Sequence, residues 1–525
     1  MQFKEETPEH RAVGNVGAML TNAIERFGEQ VAFECTGRQF SYRKFGEDVS
    51  RILKLLRSLG IEQGDAIMQI CANRYEMFVV MSACYIGGYV SVTPHHAASE
   101  DDHLYILQDS GARVLIADLP HVERAQKLGS LAAGEVHVYS HDPCTELPSI
   151  WQELTSVGPE PLVAHDQPND LIRIVYTGGT TGKPKGVMTL SNQLAFASLL
   201  HVAEQGFTSR TRMLVALPLT HGAGSFIIPT LYKGGRCVFH AGFNAERVLD
   251  AISRAEVTAA FFVPTALIAL MEHERSKSTS FKSMERIVYA GSPISRQRIE
   301  QALATFGPIL TQNYGQSEVP GTVLSLTPDE HLISDGELLN SAGRPYPCVA
   351  VRLFAADGSE VATGGVGEIC VRAPHATPGY WNNPDATRDL WAGGWLHTGD
   401  MARRDERGYY YLVDRKKDMV ISGGFNVYPL EVENVLLERP EIAAAAVIGV
   451  PDSKWGEAIK AIVQLKPGSS VSEKELIEFV KQKKGSVMAP KSVSFVDELP
   501  LTNLGKVDKK ALRAPYWENQ ERAIH

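Results

Sequence analysis

The chain has 525 residues, of which 44% are hydrophobic and 22% charged, a globular composition that excludes a wholly disordered protein and leaves room for several units. The net charge is −9, from 52 basic and 61 acidic residues, which excludes the basic face that non-specific nucleic-acid binding needs. Seven scattered cysteines without a C-x-x-C pair read as reduced thiols of a cytoplasmic protein, and no run reaches the ~18 apolar residues of an integral membrane segment.

Residues 1–14 are acidic and polar and lack the basic and apolar regions of a signal peptide. Through the first four hundred residues or so, helical and strand patterns alternate. Residues 50–59 and 245–255 carry helical periodicity. Residues 66–71, 114–117, 171–176, 213–217 and 286–289 are short apolar runs, as in parallel strands covered on both faces. The long apolar stretch 259–271 is broken by Pro264 and reads as strand, turn and helix. These patterns predict a large α/β domain with more than one sheet.

A different texture begins after Asp414. The charge run 414–418 suits a solvated linker. Pro429 marks the first turn of a helix, with Val432, Val435 and Leu436 on one face. Ser472 and Glu475 form a capping box that opens another helix, and an apolar strand at 443–450 lies between the two. The expected division is an N-terminal α/β domain at 1–414, a hinge at 415–418 and a smaller α+β domain at 419–525.

The most informative segment follows the predicted strand at 171–176. Residues 177–186 hold four glycines, three threonines and two lysines. Glycines let the backbone approach a phosphate closely, and hydroxyls, N–H groups and lysine charge suit its oxygens. It is neither a Walker A loop, because Pro184 follows Lys183, nor G-x-G-x-x-G. By composition alone, a surface loop without a ligand explains it as well. His221 alone reads as a packed histidine, Gly291, Ser292 and Pro293 as a strand-ending turn, and Lys506 as a surface lysine.

Spacing changes that balance. Residues 176–187, YTGGTTGKPKGV, resemble the phosphate loop of the adenylate-forming superfamily, which includes acyl-CoA synthetases, luciferases and peptide-synthetase adenylation domains. Further matches follow in the family order over nearly the whole chain: LPLTH ending at His221, YAGSP at 289–293, NYGQSE at 313–318, GWLHTGD ending at Asp400, DRKKD at 414–418, SGGFNVYP at 422–429, and LTNLGK ending at Lys506. Three positions depart from the commoner pattern. Gly178 stands in place of serine, Gln316 in place of methionine, and Ser317 in place of threonine.

The resemblance implies a role for each matching residue. Thr177, Gly178, Gly179, Thr180, Thr181, Gly182 and Lys185 would hold the ATP phosphates. Gly291, Ser292 and Pro293 would line the adenine beside Asn313, Tyr314 and Gly315, with Tyr314 stacked on the base. Ser317 would meet the α-phosphate and Glu318 would hold Mg²⁺. Asp400 would accept bonds from the ribose hydroxyls, with Arg415 on ribose or phosphate. Lys417 would be the hinge, Gly423 and Gly424 would face coenzyme A, and Lys506 would be the catalytic lysine of adenylation. His221 would gate an acyl pocket that includes Ala223 and Gly315.

The implied activity is ATP-dependent acid–thiol ligation. A carboxylic acid would become its acyl-AMP with release of pyrophosphate, then pass to coenzyme A with release of AMP. The alternative is a stand-alone adenylation enzyme that loads an acyl carrier protein. Small residues after His221, with apolar Phe226, Ile227, Ile228 and 261–263, favour a medium- or long-chain fatty, branched or aromatic acid. His95 and His96 read as loop residues on opposite sides of an extended segment, not as a metal site. A homodimer is the expected assembly.

Overall fold

The computed structural model describes residues 14–177, 183–254, 256–416, 418–422, 425–452, 455–502 and 507–517. Among these, a nine-stranded sheet runs in the order Arg344–Pro345, Val319–Leu326, Leu310–Gln316, Arg286–Tyr289, Ala259–Phe262, Arg212–Val215, Arg236–Phe239, Val31–Cys35, Arg38–Ser41. The strands from Leu310–Gln316 to Val31–Cys35 are parallel, and the outer ones are antiparallel. A six-stranded sheet runs His137–Ser140, Val114–Ala117, Ala66–Ile70, Val90–Val92, Leu171–Thr177, Lys185–Leu190, with only the last pair antiparallel.

Between these two sheets lies the helix Tyr75–Gly87, buried at every residue except Glu76. A helix apolar all round has no solvent face and must be covered on all sides. One core cluster joins its Phe78, Val79 and Ile86 to Phe33, Met213 and Phe239 of the first sheet and to Ile67, Val114 and Ile116 of the second. The α/β expectation therefore holds, with two large sheets sharing one apolar filling.

Several expected elements stand where the sequence put them. The strands Val114–Ala117 and Arg286–Tyr289 match residue for residue. Pro264 opens the helix Pro264–Glu272 in its first turn, where a missing N–H costs nothing. The helix expected at 50–59 is the second half of Tyr42–Ser58, capped by Ser41. Its buried stripe already includes Phe45 and Val49, so the periodicity starts a full two turns earlier.

One sheet departs from the expectation of parallel pairing. Ala350–Phe354, Val366–Arg372, Leu396–Arg404 and Tyr410–Arg415 form a four-stranded sheet that is antiparallel throughout. Only the last pair is joined by a short turn. Asp405 Oδ1 accepts the N–H of Tyr409 at 2.9 Å, and Gly408 takes a φ of 86°, so the chain reverses within a few residues. The charge run at 414–418 is also not simply a solvated linker. Asp414 and Arg415 end a strand, and Asp414 is buried, accepting the N–H of Leu430 at 2.8 Å.

Beyond residue 419 a separate core forms. Val420–Ser422, Phe425–Val427, Ile442–Asp452, Gly456–Leu465 and Ser492–Val496 make a five-stranded sheet. It is packed by the helices Pro429–Leu436 and Glu473–Lys484 through Val432, Leu436, Leu476 and Val480. Ser472 and Glu475 make the expected reciprocal cap. This is the anticipated α+β unit.

Candidate active site

The parallel strands of the nine-stranded sheet end on one side, where open α/β sheets bind ligands. The segments leaving those ends carry His221, then Gly291, Ser292 and Pro293, then Ser317 and Glu318. Tyr289 lies opposite Gln312, so the turn at Gly291, with its φ of 97°, emerges beside Asn313 and Tyr314. Ser317 and Glu318 form the two-residue turn between Leu310–Gln316 and Val319–Leu326. Gly315 is required there. A Cβ at that position would lie 2.7 Å from the Gly321 nitrogen and 2.9 Å from the Val319 carbonyl oxygen.

Strand register sets the next group. Asp400 and Arg415 are direct partners across neighbouring antiparallel strands. Arg415 Nε lies 2.6 Å from Asp400 Oδ1, while the Tyr314 hydroxyl and Gln316 Nε2 each donate to Oδ2 at 2.6 Å. Gln316 also donates to the Thr398 carbonyl at 2.9 Å. Burial, then the Asp400 charge, holds the Tyr314 hydroxyl well above its usual range, so it stays a donor. Burial opposes the Arg415 charge, but Asp400 and other anions outweigh it and raise the guanidinium. The result is a buried carboxylate already oriented by three donors. The role of Gln316 was not legible beforehand, because it registers in the sequence only as a departure from methionine. Asn313 alternates to the other face of the strand and accepts from Ser325 at 3.4 Å, so its side chain does not join the Asp400 group.

A third group links Glu318 to the phosphate loop. Tyr380 is bridged to Val187, and the Trp381 N–H bonds the Gly186 carbonyl at 2.7 Å, which lays this segment along Lys185–Leu190. The Tyr380 hydroxyl donates to Glu318 Oε1 at 2.7 Å, and Lys185 Nζ sits 5.2 Å from the Tyr380 ring centre. The Thr377 N–H bonds the Glu318 carbonyl at 2.8 Å. Thr177 lies opposite Lys185, so the pair brackets the loop. Tyr380 engages only one oxygen of a half-buried carboxylate. The other is suited to a hard cation, so the residues fit Mg²⁺. Gly178, Gly179, Thr180, Thr181, Gly182, Lys417, Gly423, Gly424 and Lys506 lie outside the described residues.

Tyr380→Phe should leave the fold intact and weaken the apparent Mg²⁺ affinity about tenfold, the worth of one hydrogen bond to a charged group. Mg²⁺ titration of ATP–pyrophosphate exchange reads this directly. An unchanged Mg²⁺ dependence would remove Tyr380 from metal positioning.

Around His221 the structure corrects two readings. Thr220 Oγ1 lies 2.7 Å from His221 Nδ1. The small residues after it serve close packing. A Cβ on Gly222 would lie 2.8 Å from Phe261 Cζ, and one on Gly224 would lie 1.8 Å from the Leu219 carbonyl oxygen. Their size therefore does not measure the pocket. His95 and His96 do not point to opposite sides, because their rings stack 4.8 Å apart at 17°. The chain turns there, with the Ala98 N–H bonded to the His95 carbonyl at 2.9 Å, so strand alternation does not apply. The His95 ring lies 5.7 Å from His221. Burial first, then His96, pulls His95 down to about 4, which leaves it neutral at physiological pH. These two histidines are loop residues, as expected, but their place beside His221 was not.

Comparison with known proteins gives the family. The AMP-binding enzyme family matches residues 20–381, and the AMP-binding enzyme C-terminal domain matches 431–506. The chain belongs to the AMP-binding enzyme family and is an adenylate-forming enzyme of the acyl-CoA synthetase type. A medium/long-chain-fatty-acid–CoA ligase, FadD8, of Mycobacterium tuberculosis is 39% identical over 524 residues, covering 97% of this chain and 91% of its own. A feruloyl-CoA synthase of an Amycolatopsis species is 36% identical over 479 residues, covering 91% and 94%. The amide bond synthetase McbA from Marinactinospora thermotolerans superposes with a TM-score of 0.88 at 30% identity, over 95% of this chain and 100% of that one. Among the described residues no helix is long and apolar enough to cross a membrane.

Proposed function

We propose that this enzyme joins a medium- or long-chain fatty, branched or aromatic acid to coenzyme A through an acyl-adenylate. The observation that carries the reading is the Asp400 group, a buried carboxylate preset by Arg415 on the neighbouring strand and by Tyr314 and Gln316 where the strand Leu310–Gln316 ends. A carboxylate offers two acceptor oxygens to the paired hydroxyls of a ribose. The acid attacks the α-phosphorus, the bond to the β-phosphate oxygen breaks, and pyrophosphate leaves. Both reactants are anions, so charge neutralisation dominates the barrier. Lys506 and Lys185 supply it from the protein, with the donors at 177–182. Mg²⁺, held by Glu318, adds its charge to the same phosphates when bound. No protein nucleophile is needed.

In the second step the thiol attacks the acyl carbonyl and AMP leaves. That step needs a different face at the same place. In this reading residues 1–414 form the fixed domain, 415–418 the hinge and 419–525 a mobile domain. Rotation about Lys417 replaces Lys506 with Gly423 and Gly424. The change of sheet after Arg415 supports this division. Phe226, stacked 5.4 Å from Phe261, and the neutral His95 beside His221 favour an apolar or aromatic acid over a small polar one. The free cysteines favour the cytoplasm, and a homodimer is the proposed assembly.

The test offers a graded panel of fatty, benzoic and cinnamic acids with ATP and coenzyme A and detects thioester by mass. Thioester from apolar acids supports the reading. Adenylate that passes only to a carrier-protein thiol would replace it with the carrier-loading alternative.

A further inference from the structure

We propose that Glu368, Cys370 and His397 form a second cation site, for a thiophilic divalent ion of the zinc class, in direct competition with the ammonium of Lys416. The three side chains sit on neighbouring antiparallel strands of the four-stranded sheet, and their ligand atoms lie within 4.8 Å of one another. Glu368 and Cys370 are buried. The pairing explains how they meet. Glu368 faces Met401 and Cys370 faces His397, so two residues on one strand span four on the other. The excess is a bulge at Gly399, whose φ is 71°, and bulges re-aim side chains in this way.

Two of the three ligand spacings approach those of a tetrahedral site, and the third is within 4.8 Å. His397 Nδ1 lies 3.4 Å from Cys370 Sγ and 3.1 Å from Glu368 Oε2. With Zn–S of about 2.3 Å and Zn–N of about 2.0–2.1 Å, tetrahedral ligands sit roughly 3.3–3.6 Å apart. His397 Nε2 is 3.2 Å from the Ala392 carbonyl, to which it donates. That backbone acceptor leaves Nδ1 facing the thiol and the carboxylate, the arrangement that orients metal-bound imidazole. The Gly399 N–H, 3.0 Å from Oε1, fixes the carboxylate from the other side. Sulfur and imidazole select zinc over Mg²⁺, so this site does not duplicate Glu318.

Lys416 is the competitor. Its Nζ lies 3.0 Å from Glu368 Oε2, and its side chain is 56% exposed, so the head group can leave for water. Coordination exchanges the thiol proton and this ion pair for the cation. Lys416 follows Arg415, the partner of Asp400, so occupancy also changes what holds the strand end beside the nucleotide group.

The experiment titrates metal-stripped full-length protein with Co²⁺ and records the thiolate-to-cobalt charge-transfer band. The expected result is one Co²⁺ per chain with that band, displaced by Zn²⁺. Cys370→Ser should abolish the band, and Lys416→Ala, an exposed change that spares the core, should tighten binding a few-fold by removing the competing charge. No band in the wild type, or a band that survives Cys370→Ser, would overturn the proposal and leave a hydrogen-bonded network only. Co²⁺ binding unchanged by Lys416→Ala would overturn the competition.

Discussion

Replacing Asp400 with alanine is expected to lower kcat/KM for ATP by at least about 10³-fold and to reduce the melting temperature by several degrees. Two losses combine. On the proposed function the ribose loses its acceptor, and the charge on Arg415 loses its partner at 2.6 Å. Removing one member of a buried pair costs about 3–5 kcal/mol, and the low end applies because the Arg415 side chain is 44% exposed. The hydroxyl of Tyr314 loses its carboxylate acceptor as well, while the Gln316 amide keeps its bond to the Thr398 carbonyl. Asp400→Asn keeps one acceptor and the shape, so it should cost less stability but still weaken ATP binding. Calorimetry with ATP and a thermal melt separate the two effects. Unchanged ATP affinity in Asp400→Ala would remove this group from the nucleotide site.

The second large effect belongs to Lys506. Lys506→Ala should slow adenylation by about 10²–10⁴-fold, the range for removing one charge from a preorganised site. Transfer of the acyl group from supplied acyl-AMP to coenzyme A should stay within a few-fold. The proposed rotation predicts this split, because it would carry the lysine away for the second step. Single-turnover assays of each half-reaction measure it. Equal loss of both would assign Lys506 a structural role instead.

Much of the site was legible because its parts are local. A glycine-rich loop after a strand, a turn carrying Glu318, and a charged strand end at Arg415 are each contiguous, and their order is itself informative. What escaped is non-local. Tyr380 meets Glu318 across 62 positions and only through a bridge to Val187, which no spacing rule contains. Gln316 reads as a substitution until Asp400, 84 positions away, is placed beside it. The glycines at 222 and 224 read as open space, but they pack against Phe261 and Leu219. The stacked His95 and His96 escaped for a local reason, a tight turn where an extended segment was expected. The antiparallel sheet at 350–415 was hidden because strand direction leaves no mark on runs of five to nine residues such as these.

The most direct test of the central claim is acid-dependent ATP–pyrophosphate exchange on the purified full-length protein, chased with coenzyme A. Exchange is expected only when a medium- or long-chain, branched or aromatic acid is present. An acyl-CoA product and stoichiometric AMP are expected after the chase. Exchange with acids but no thioester on adding coenzyme A would contradict the acid–thiol ligase assignment, and no exchange with any of these acids would contradict adenylation itself.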